Sequence, residues 1–70
     1  MYVLNQAFRP EVVKAISDHL NWNPREIWVA RASASRSPEE IEMELWRDED
    51  EEGTELWVTF GPGGHITVAS

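Results

Sequence analysis

The residues best equipped for chemistry are the carboxylates of Asp48, Glu49, Asp50, Glu51 and Glu52, which run directly into Gly53. Asp48, Asp50, Glu52 and Gly53 match the opening half of a calcium-binding loop, with acids at places one, three and five and glycine at six. Place twelve of such a loop needs a bidentate Glu, and here it is Thr59. The pattern stops halfway, and no metal is assigned. His19 and His65 are the only imidazoles, and neither has a second His at ligand spacing. Gly61-Pro62-Gly63-Gly64 lacks the Lys and Ser/Thr of a phosphate loop and does not precede a helix. Cysteine is absent, which removes disulfides, thiolate metal sites and a Cys nucleophile. Acid–base hydrolysis wants one carboxyl of a pair buried with a raised pKa, and a solvated acidic hairpin offers the opposite. The expectation is a non-enzyme with no cofactor.

What remains is charge and tryptophan. The formal charge is −7. Residues 39–55 hold ten acids and one base, Arg47, for −9, while the rest of the chain holds three acids and five bases, for +2. Such a dipolar domain repels nucleic acid and anionic membrane and speeds encounter with a basic partner. Four Trp in 70 residues supply the dense packing that a chain this short needs.

The elements that position these groups follow from periodicity. Ile41, Met43 and Leu45 alternate with Glu42, Glu44 and Trp46, and Leu56, Val58 and Phe60 alternate with Trp57 and Thr59. Period-two alternation marks strands buried on one face. Pairing Leu45 with Val58 and Met43 with Phe60 gives one apolar face and sets Trp46 opposite Trp57 on the other. Ser37-Pro38-Glu39-Glu40 also suits a helix start. A helix over 38–47, however, would turn Met43 away from Ile41 and Leu45. It would also crowd Glu40 with Glu44 and Glu44 with Asp48. The strand reading is favoured. Pro62 and the flanking glycines suit a tight turn, and a three-residue loop from Pro62 to Gly64 sets Phe60 opposite Ile66 and Val58 opposite Val68.

Upstream, Tyr2 to Leu4 suits a short extended segment. Pro10 and Glu11 open a helix of about 10–21 whose stripe is Val12, Val13, Ile16 and Leu20, ended by Asn21 and Pro24. Ile27 and Val29 alternate with Trp28 and Ala30 in a strand over about 26–32, and Ser33 to Pro38 forms a polar connector. The expected fold is a single α+β domain: one N-terminal helix on a mainly antiparallel sheet of about four strands, 26–32, 40–47, 55–61 and 65–69. No apolar run is long enough to span a bilayer, and the N-terminus lacks the marks of a signal peptide, so a cytoplasmic setting is the default.

One helix covers one face of such a sheet. Trp28, Trp46 and Trp57 would emerge together on the other, as a patch larger than a monomer usually leaves wet. Core packing by a folded-over segment is the plainer reading of the same rings. For the acidic run the plainer reading is a solvated turn. The functional reading joins the two: Glu42, Glu44, Asp48, Glu49, Asp50, Glu51 and Glu52 steer a basic protein surface toward the indoles. It makes the chain an inhibitor or antagonist that occupies a basic surface of a partner macromolecule, of the kind that binds nucleic acid. Phage counter-defence and toxin-immunity proteins share its size and charge, and nothing more specific. The alternative is a structural or regulatory subunit that homodimerises through the tryptophan face, with the acid serving solubility. Direct nucleic-acid binding is disfavoured, because Glu42 and Glu44 sit where a basic groove would be needed.

Overall fold

The computed structural model describes residues 1–34, 39–48 and 53–70. In chain order its elements are β1 (Tyr2–Val3), α1 (Leu4–Ala7), α2 (Pro10–Leu20), β2 (Ile27–Ala34), β3 (Glu40–Arg47), β4 (Thr54–Phe60) and β5 (Ile66–Ala69). The expected helix is α2. Pro10 opens it, where a missing N–H costs no hydrogen bond, and Glu11 lies in the first turn, facing the positive end of the dipole. Asn21 closes it in the left-handed region at φ 57, and its N–H donates to the Ser17 carbonyl. On the solvent side Lys14 Nζ reaches Asp18 Oδ2 at 3.0 Å, one turn along. After α2, Asn23 Oδ1 accepts from the Arg25 N–H and nucleates a 3₁₀ turn over Pro24–Glu26, so β2 starts at Ile27.

The sheet is antiparallel throughout, in the order β1-β2-β3-β4-β5. It has five strands where about four were expected, because the extended start of the chain pairs with β2: Tyr2 lies opposite Val29 and Val3 opposite Trp28. Two residues are too few to show a period in sequence. Leu4, expected to end that extended segment, instead begins the single turn α1 and is fully buried. The helical alternative for 38–47 is overturned over Glu40–Arg47, which is strand. Ser37 and Pro38 lie outside the described residues.

The β4–β5 hairpin has the expected register, with Phe60 opposite Ile66 and Val58 opposite Val68. Pro62–Gly64 forms a tight 3₁₀ turn in which Gly63 and Gly64 take φ 69 and 79, left-handed values that favour glycine. The β3–β4 register differs from expectation. Leu45 lies opposite Thr54 rather than Val58, a shift of four residues (58 minus 54), and Met43 lies opposite Leu56. A shift by an even number keeps every side chain on its own face, so alternation alone does not choose between the two pairings. Between β2 and β3 the register slips at Ala30: Val29 lies opposite Leu45 but Arg31 opposite Glu44, a β-bulge.

One face of the sheet packs on the helices. Its core is Leu4, Val12, Val13, Ile16, Ile27, Val29, Met43, Leu45, Leu56 and Val58, joined at the margin by Phe8, Leu20, Trp22, Ile41, Phe60, Ile66 and Val68. Each fully buried aliphatic side chain contributes roughly 1.5–3 kcal/mol.

Candidate protein-interaction face

The face away from the helices is built from the residues between those core positions. Trp28 follows Ile27 and Trp46 follows Leu45, both of which are fully buried, so each indole emerges on the opposite side. Both remain partly exposed. They are direct cross-strand partners, an arrangement that favours ring contact. The expectation of Trp46 opposite Trp57 is therefore corrected: Trp46 faces Trp28. Trp57 lies opposite Glu42 on one side and Ala69 on the other. Glu42 is four residues from Trp46 along β3, roughly 13 Å by strand rise. The three rings form a pair and an outlier.

Carboxylates fill the space between. Glu42 stands between Ser33 and Trp57, and Glu44 between Arg31 and Glu55. Glu44 and Glu55 are like charges directly opposed, and Arg31 Nη2 approaches Glu55 Oε1 at 3.4 Å. Both members of that pair are more than half exposed, so it relieves the repulsion without adding much stability. Glu40 extends the row opposite Thr59. At the far end the Asp48 N–H donates to the Glu26 carbonyl at 3.1 Å, which ties the end of β3 to the start of β2. The Trp28 Nε1–H donates to Asp48 Oδ1. The Trp46 Nε1–H donates to Glu44 Oε2 at 3.3 Å. Glu49, Asp50, Glu51 and Glu52, expected to belong to the same surface, lie outside the described residues.

Sequence reasoning missed three contributors. Arg31, near the end of the strand expected over 26–32, is a cation within the acidic row, because the bulge at Ala30 turns it outward. Met1 joins Trp28, Trp46, Arg47 and Asp48 around an open concavity of about 290 Å³. Gly53, read as the sixth place of an incomplete calcium loop, is needed for close approach: a Cβ there would stand 2.8 Å from Trp46 Nε1 and 3.0 Å from Glu44 Cγ. A lone glycine at the end of an acidic run, next to a strand, was the signal available. Arg47 lies opposite Ile27, and its guanidinium carbon sits 5.8 Å from the centroid of the Trp22 ring.

Among the described residues, no group of three or more His, Asp and Glu side chains is gathered to hold a metal ion. No helix of the described residues is long and apolar enough to cross a membrane. Comparison with protein-family models, curated proteins and solved structures finds no match.

Proposed function

We propose that this chain is a small interaction protein whose helix-free sheet face docks on a basic surface of a partner protein, as an inhibitor or antagonist would. The observation that carries this reading is the composition of that face. Partly exposed Trp28, Trp46 and Trp57 are interleaved with Glu40, Glu42, Glu44 and Glu55, against Arg31 within the row and Arg47 at the rim of the Trp28–Trp46 concavity. The carboxylates steer encounter and the indoles supply desolvated contact. A partner surface shaped for nucleic acid fits the same row of charges. A cytoplasmic setting goes with the reading. Self-association through this face is less favoured, because a two-fold contact would bring the glutamates of one copy toward those of the other.

The test is capture from source-cell lysate with the wild-type chain and with Glu40→Lys/Glu42→Lys, followed by titration of the purified partner. The reading expects a partner that the reversed-charge chain fails to hold. Its affinity should fall on the order of tenfold between roughly 0.05 and 0.3 M salt. Affinity indifferent to both salt and charge reversal overturns it.

A further inference from the structure

We propose that the Trp28–Trp46 concavity is a seat for the guanidinium of one arginine on the partner, stacked on the paired indoles with the Asp48 and Glu44 carboxylates at its rim. This rests on the reading above and narrows it from a basic surface to a single side chain.

Four features of the site converge on that occupant. The first is where the negative charge lies. Each indole N–H is turned toward a carboxylate, Trp28 to Asp48 and Trp46 to Glu44. The acids therefore sit at the ring edges, and donation to an anion leaves the rings richer in electron density. A cation above them meets both the ring quadrupole and the nearby carboxylates. The second is size and shape. A concavity of about 290 Å³ lies at the small end for a ligand pocket, and it is a shelf rather than an enclosed cage. A planar guanidinium lies flat on a shelf and is more weakly hydrated than an ammonium, which gains most when surrounded. The third is fixation. Trp28 and Trp46 are cross-strand partners, each indole N–H is anchored to a carboxylate, and the close pass of Gly53 backs Trp46, so little ordering is left for the moment of binding. The fourth is the placement of the chain's own cations. Arg47, which also lines the concavity, carries its guanidinium over Trp22, and Arg31 is drawn to Glu55.

The experiment follows the four indole N–H resonances by two-dimensional NMR while acetyl-arginine amide is added to the full chain. The Trp28 and Trp46 signals should shift saturably, with half-saturation on the order of 10 mM or tighter, while those of Trp22 and Trp57 stay in place. Acetyl-citrulline amide has the shape of arginine without its charge, and it should bind at least about threefold more weakly. Acetyl-lysine amide should also be weaker. Asp48→Asn keeps an acceptor for the Trp28 N–H but removes the charge, and it should weaken the arginine titration about two- to fivefold with the backbone spectrum otherwise retained. Absence of saturable shifts, or equal response to citrulline or lysine, overturns the seat. A partner captured in a charge-dependent manner but held equally well by Trp46→Leu overturns the seat while leaving the wider reading intact.

Discussion

The two faces of the sheet are made by the same strands and are unlike in almost every respect. Toward the helices, Ile27, Val29, Met43 and Leu45 are fully buried, aliphatic and free of polar atoms that need partners. One residue along, Trp28, Glu44 and Trp46 are partly exposed and bound to one another or to neighbours through hydrogen bonds. The first face excludes water, which is where stability comes from. The second holds large rings at the boundary with water and surrounds them with charge, which adds little to stability and suits recognition. Neighbouring positions in one strand thus answer to different demands, and substitutions should separate them.

The largest effect is expected on the closed face. Met43→Ala should cost about 2–5 kcal/mol. In a domain of this size that lowers the melting temperature by about 4–8 °C per kcal/mol, as a thermal melt would read. A loss under about 1 kcal/mol would mean that the core is less tightly packed than its burial implies. Next comes Gly53→Ala, whose methyl group meets the Trp46 indole and Glu44. A cost of about 1–3 kcal/mol is expected, together with a changed Trp46 indole N–H resonance, and an unchanged resonance would contradict the close packing. Arg31→Ala should cost no more than about 1 kcal/mol. That loss should shrink in high salt, since what it exposes is repulsion between Glu44 and Glu55. Glu42→Gln should leave stability within about 0.5 kcal/mol while weakening capture of a basic partner. A matched loss of stability there would erase the distinction between the faces.

The faces were legible before the pairings were. Alternation in residues 41–47 and 56–60 assigns every core position correctly, because side-chain direction depends only on counting in twos. Register needs something more. Between β4 and β5 the compact Pro62–Gly64 turn supplies it, and Phe60 meets Ile66 as expected. Between β3 and β4 the connection is longer and acidic, and pairings four residues apart satisfy the same alternation. That ambiguity moved Trp57 from Trp46 to Glu42, while the β2–β3 ladder set Trp28 opposite Trp46. β1 was legible only as an extended segment. That Tyr2 and Val3 pair with Val29 and Trp28 is a long-range contact that local sequence does not show.

The bulge at Ala30 makes parity along β2 a matter of one peptide unit. Val29 lies in the sealed layer, and with strict counting Arg31 would lie there too, opposite Met43 instead of Glu44. Were Ala30 to take an ordinary place in the ladder, every later residue would fall out of phase, turning a guanidinium toward oil and the methyl group of Ala32 toward water, whereas removing it would leave Arg31 next to Val29 and still opposite Glu44. A solvated cation and a buried, unpaired one thus differ only in whether the strand kinks at Ala30, and straightening that kink would do more harm than deleting the alanine that makes it.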